Sequence, residues 1–177
     1  SFAVLPGRQL LQATRQGLRV LDLDSGKTLI ETVVAKLPWT VLENVKSSCV
    51  AVLGDRIYVG HVIIKSPEEE QLRYASQSIL EGLQVYDRSS LRYLGTLSVA
   101  DGLPNYNIQC LLADGERLWV GSSAGLGLLV GGRIQRQWGV SQGLPSDLIQ
   151  CLARDTQRLY VGTDRGLVWL QPDSGAV

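Results

Sequence analysis

The chain contains one passage written twice. The first copy, DGLPNYNIQCLLADGERLWVGSSAGL, begins at Asp101, and the second, QGLPSDLIQCLARDTQRLYVGTDRGL, begins at Gln142. Gly102 recurs at Gly143, Pro104 at Pro145, Cys110 at Cys151, Trp119 at Tyr160 and Gly121 at Gly162, always at the spacing 143 − 102 = 41. A fixed period of that size restricts a chain to arrays of like units, because each unit buries its apolar face only against its neighbours.

Each copy opens on a Gly-Leu-Pro turn, where glycine tolerates positive φ and proline fixes its own. An apolar run follows (Ile108 to Leu112, then Ile149 to Ala153), then a polar turn such as Asp114-Gly115. Leu118-Trp119-Val120-Gly121 is aromatic and β-branched, as a strand prefers. Gly125 or Gly166 opens a third run, and Arg133 to Trp138 alternates like an edge strand. Four short strands in about 41 residues fit one blade of a β-propeller. The Gly-His and Trp-Asp signatures of a WD repeat are absent.

Worn copies precede the clear ones. Phe2 to Leu5 aligns on a first strand, and Leu10 to Thr14 and Gly17-Leu18 match Leu159 to Thr163 and Gly166-Leu167 at an offset of 159 − 10 = 149. Ser48 to Leu53, Arg56 to Gly60, Gly82 to Asp87 and Leu91 to Val99 form the second copy. The expected fold is therefore all-β: four blades of four short antiparallel strands, at about 1–45, 46–104, 105–145 and 146–177.

The second copy is interrupted from His61 to Glu81. Ser66-Pro67-Glu68-Glu69 reads as a helix start, with a capping serine, proline in the first turn and acidic residues at the positive end of the dipole. Leu72, Ala75 and Ile79 then form one stripe, which predicts a helix of about 11–14 residues. The fourth copy stops after its third strand, so fifteen strands are expected. Rings close with about 4 to 8 blades, and closure hides strand edges. An arc of a longer propeller is favoured over a ring completed by a second chain or a ragged four-bladed ring.

The two passages resemble the two-component regulator propeller repeat, commonly written GLP-S/N, a short strand, D-x-x-G, LW-I/V-GT, x-x-GL. The resemblance is good in two blades and degraded in two more. It implies a non-catalytic, ligand-sensing propeller of the kind found ahead of bacterial sensor kinases, with its propeller outside the cytoplasmic membrane. It also implies that the inter-blade links and the turns between second and third strands share one face, over the channel mouth.

Candidates on that face are Asn105, Tyr106, Asn107, Ser146 and Asp147 on the links, and Ser122, Ser123, Asp164 and Arg165 on the turns, with His61 at the start of the insertion. Hydroxyl, amide and aromatic groups suit a small-molecule, carbohydrate or peptide ligand. Such residues also serve turns by bonding their own backbone. Trp119, Tyr160, Trp138 and Trp169 are expected in the core.

The 17 basic residues cancel the 17 acidic ones, which removes the electrostatic argument for nucleic acid. No apolar run reaches the roughly 18 residues of a membrane span. The chain opens on Ser1 and contains no methionine, as expected of a processed chain or an excised piece. Cys49, Cys110 and Cys151 fall at one position of three successive repeats, too far apart for a disulfide, and are expected as buried free thiols. Free thiols point to a reducing compartment, against the extracytoplasmic placement that the resemblance implies. No C-x-x-C, nucleophile–base set or phosphate loop is present, so no cofactor or metal is expected. A scaffold that uses the insertion as an interface is the alternative function; a propeller lyase or hydrolase is a third.

Overall fold

A computed structural model describes residues 2–14, 17–33, 45–63 and 82–177. Among them are fifteen strands in four antiparallel sheets. Blade 1 holds β1 (Phe2–Leu5), β2 (Gln9–Ala13), β3 (Gly17–Asp22) and β4 (Thr28–Val33). Blade 2 holds β5 (Val45–Leu53), β6 (Arg56–Ile63), β7 (Leu83–Asp87) and β8 (Tyr93–Leu97). Blade 3 holds β9 (Ile108–Asp114), β10 (Arg117–Ser122), β11 (Gly125–Val130) and β12 (Arg133–Trp138). Blade 4 holds β13 (Ile149–Arg154), β14 (Leu159–Thr163) and β15 (Gly166–Leu170) only. Every sheet follows chain order, as tight hairpins dictate.

The predicted helix lies outside the described residues. The described strand β6 runs through His61 to Ile63, so the interruption begins later than His61. In blade 1 the first strand is slipped by one residue from the repeat offset. Phe2 pairs with Gln12, whereas Leu152 pairs with Val161, the counterpart of Gln12. Because side chains alternate along a strand, that slip moves Phe2 and Val4 to one face and Leu5 to the other.

Three apolar cores join the blades in sequence. Leu11, Leu18 and Val20 meet Ile57, Val59 and Tyr86 between blades 1 and 2. Tyr58 and Leu83 meet Ile108, Leu118 and Val120 between blades 2 and 3. Trp119, Leu126, Leu128 and Trp138 meet Ile149, Leu159 and Val161 between blades 3 and 4. Leu103 and Leu144, from the two Gly-Leu-Pro links, are buried in the second and third joints.

One contact recurs at the inner end of a joint. Cys110 faces Gly121 across the sheet. A Cβ built on Gly121 would lie 2.5 Å from Cys110 Sγ and 2.8 Å from Ile149 Cγ2. Gly60 is enclosed the same way by Cys49 and Ile108. The glycine is thus required by the isoleucine that opens the next blade. At Gly162 only Cys151 is near.

The inner strands pack β1 on β5, β5 on β9 and β9 on β13. Among the described residues no packing of that extent joins β13 to β1, and no core lies between blades 4 and 1. The described blades thus stand in a row joined by three cores. The residues after β15 turn back on blade 3: Trp138 Nε1 donates to Gly175 O at 2.9 Å, Arg136 to Ser174 O at 3.1 Å and Arg117 to Asp173 at 2.7 Å.

Candidate functional site

The rim holds the links and the turns between second and third strands, as expected of this connectivity. In blade 3 the turn is built by its own side chains. Ser122 is buried; its hydroxyl donates to Gly125 O at 2.8 Å and accepts from Ala124 N. Thr163 does the same work in blade 4, donating to Gly166 O at 2.9 Å and accepting from Arg165 N. The sequence reading omitted Thr163, which shares its repeat position with Ser122.

Three segments converge beside that turn. Asn105 Oδ1 accepts from Asn107 N at 2.8 Å and from the Ser123 hydroxyl at 3.1 Å. Ser123 N donates to Asn107 O at 3.1 Å, and Gly125 N donates to Asp147 O at 2.7 Å. Asp147 Oδ1 accepts from Val140 N at 2.8 Å. The structure therefore brings Asn105, Asn107, Ser123 and Asp147 together, with half-buried Tyr106 between the two asparagines in sequence. Ser146 is nearly buried and accepts from Leu148 N, in a local turn of the Ser/Thr type. Asp164 and Arg165 are exposed at the tip of the blade 4 turn.

His61 is elsewhere. It alternates with Ile57 and Val59 on the face of β6 that packs against blade 1, and it is buried. Its Nε2 lies 3.3 Å from Gln84 Oε1, which also accepts from the Tyr86 hydroxyl at 2.9 Å. Burial pushes the His61 imidazole below its usual range and the Tyr86 phenol above its own, because each charged form is poorly solvated there.

Three clefts open on the opposite rim. One of 520 Å³ lies between blades 1 and 2 at Leu5, Asp55 and Arg88; one of 550 Å³ lies between blades 2 and 3 at Asp55, Tyr58 and Glu116. A third, of 450 Å³, is walled by Arg117, Arg154 and the returning tail. Arg154 and Arg117 both pair with Asp114, which also accepts from Trp119 Nε1 at 3.4 Å. Only the folded tail assembles this last wall, so the repeat pattern held no signal for it.

The cysteines are free. Burial pushes the Cys49 and Cys110 thiols up to about 12, so both stay protonated at neutral pH. Cys151 corrects the expectation of three buried thiols: it is exposed. Trp169 likewise corrects the expected core set, with 41% of its surface exposed. Both lie on the face of blade 4 opposite its joint with blade 3. Among the described residues there is no group of three potential metal ligands, and no helix is long and apolar enough to cross a membrane.

Residues 102–124 match the model of the two component regulator propeller. No curated protein sequence matches the chain. Among solved structures, the chain is similar to an extracellular domain assigned to a one component system of B. thetaiotaomicron, at 20% identity and a TM-score of 0.66 over 99% of this chain and 21% of that one. It is also similar to PorZ, a surface component of the type-IX secretion system of Porphyromonas gingivalis, at 15% identity and a TM-score of 0.63 over 97% of this chain and 25% of that one. The computationally designed Ika4 protein aligns over 97% of this chain and 91% of its own, at 12% identity and a TM-score of 0.60. The chain thus spans about a fifth of the first structure's length. These likenesses establish the architecture: the chain is built of β-propeller blades, and its residues 102–124 match the two-component regulator propeller repeat.

Proposed function

We propose that this chain is a non-catalytic recognition module, a ligand-sensing propeller segment of a bacterial signalling protein. The observation that carries the reading is the convergence of Asn105, Asn107, Ser123 and Asp147 on one rim, where the link and turn of blade 3 meet the link of blade 4. Tyr106 adds an aromatic face, and Asp164 and Arg165 extend the same rim along blade 4. Amides, hydroxyls and a few exposed charges beside an aromatic ring recognise polar ligands rich in hydrogen-bonding groups, of which carbohydrates and short peptides are the fitting classes. The repeat itself and the extracellular domain of a one component system that shares the architecture support a signalling role.

Titration calorimetry against panels of neutral oligosaccharides and uncharged peptides tests the reading, with the recovered panel weighed by mass spectrometry. Binding to at least one panel member is expected, without turnover. Tyr106→Ala should weaken it about tenfold, or about 1.4 kcal/mol, with the melting temperature close to wild type. A panel that never binds, or a Tyr106→Ala variant that binds as wild type, would remove this rim from consideration. A chemically altered panel would make the protein an enzyme.

A further inference from the structure

One aromatic ring of the repeat carries a polar tip, and an acid meets it. Trp119 Nε1 donates to Asp114 Oδ2 at 3.4 Å, and the Tyr160 hydroxyl donates to Asp155 Oδ2 at 2.8 Å. Ring and acid hold the same two repeat positions in blades 3 and 4. Blade 1 has Leu11 in place of the ring and so has no tip to satisfy. Blade 2 keeps the ring as Tyr58 but has Leu53 in place of the acid. Tyr58 is 4% exposed, and its hydroxyl has no hydrogen-bond partner among the described residues. Burial pushes the phenol above its ordinary range, so it stays protonated with a donor to offer. A buried hydroxyl without an acceptor costs stability.

Two clefts meet at this ring. The 550 Å³ cleft between blades 2 and 3 and an adjoining one of 320 Å³ share Arg56, Tyr58 and Gly132. Arg56 holds the repeat position of Arg117, which pairs with Asp114 at 3.4 Å. The ion pairs of Arg56 itself, to Asp55 and Asp87, are 3.5 and 3.6 Å long, beyond the ~2.7–2.9 Å of a direct charge-assisted bond. In blade 3 an indole N–H and a guanidinium share one carboxylate. In blade 2 a phenol and a guanidinium stand at the same positions without it. The larger cleft adds the carboxylates of Asp55 and Glu116, and the smaller adds the apolar walls of Val85, Leu94 and Leu97.

We propose that the joint between blades 2 and 3 binds a small zwitterion, an amino acid with an apolar side chain. Its carboxylate takes the part that Asp114 plays in blade 3, accepting from the Tyr58 hydroxyl and pairing with Arg56. Its ammonium faces Asp55 and Glu116, and its side chain lies against Leu94 and Leu97. Charge requires the ammonium: the larger cleft sets two acids against one guanidinium, so a plain carboxylate meets net repulsion there. The site lies on the rim opposite Asn105 and Tyr106 and is independent of ligand binding there.

Titration calorimetry with leucine, isoleucine, valine and phenylalanine, each to about 10 mM, tests this. At least one should bind. Removing either charge from it, as the deaminated acid or the decarboxylated amine, should weaken binding at least about tenfold. Tyr58→Phe keeps the ring and removes the hydroxyl. It should weaken binding by at least the same factor, while the melting temperature without ligand stays at or above wild type. Leu53→Asp restores the acid of blades 3 and 4 and should abolish binding; if it fails to fold, Tyr58→Phe decides alone. Four amino acids that never bind, or a Tyr58→Phe variant that binds as wild type, overturn the proposal. So does a Tyr58→Phe variant that melts lower without ligand, because the hydroxyl would then have a partner in the free protein. A deaminated acid that binds as tightly overturns the zwitterion. An amino acid whose binding falls in Tyr106→Ala sits at the other rim and overturns this site alone.

Discussion

Blades 3 and 4 share one sequence pattern and differ in what lies beside them. In blade 3, Gly121 is pressed between Cys110 and Ile149, and Trp119 stacks against Trp138 at 5.5 Å between ring centroids. In blade 4, Gly162 touches only Cys151, and Trp169 lies under the Arg158 guanidinium at 4.4 Å. A third strand without a fourth leaves Gly166 with the positive φ of Gly125 but no neighbouring carbonyl. The apolar pattern of a blade thus marks a face that requires cover, and the next blade decides whether it has any.

The largest way to break the comparison is to cut the same leucine on both blades. Leu126→Ala should destabilise the fold by about 2–5 kcal/mol, as for other buried leucines. Leu167→Ala, measured in denaturant, should stay within about 0.5 kcal/mol. Equal losses would mean that blade 4 is covered in solution. A smaller contrast is expected at the glycines. Gly121→Ala forces a methyl against Ile149 and should cost about 1–3 kcal/mol. Gly162→Ala meets only Cys151, whose side chain has room to turn outward, and should cost less. The reverse order in melting temperature would refute the part assigned to Ile149.

The smallest effect concerns the turn between the first two strands. Asp114 is held by Arg154 of the next blade. Its counterpart Asp155 relies on its own turn, accepting from Gln157 N, Arg158 N and the Tyr160 hydroxyl. Those donors, backbone amide of Gln157 first, hold the Asp155 carboxyl below its ordinary 3.8. A lowered value stabilises the fold above the unfolded carboxyl's pKa and loses that contribution as pH falls through the folded one. Asp155→Asn should therefore lower the melting temperature slightly at neutral pH, with the gap closing below pH 3.8. A gap that persists in acid would point to lost packing instead.

The repeat made most of the fold legible. Period 41 placed the strands of blades 3 and 4 within two residues, because Gly-Leu-Pro and the Cys–Gly pair anchor both ends of the inner hairpin. Blade 1 has Ala13 where the others have glycine, and there the register slipped by one. Exposure was the least legible property. Cys151 and Trp169 carry core signatures by position, yet they lie on the face of blade 4 turned away from blade 3. At the rim, a serine that binds ligand and one that closes a turn look alike in sequence. Ser122 and Ser123 are separated by one peptide bond, and their hydroxyls serve a turn and a link respectively.

The three inter-blade joints also set how far a local opening spreads. Blades 2 and 3 each share a core with two neighbours, so opening either one breaks two joints at once. In a linear array each unit is coupled to the next, and an opening runs from joint to joint like a zipper. Hydrogen exchange would then show the backbone amides of blades 2 and 3 protected together.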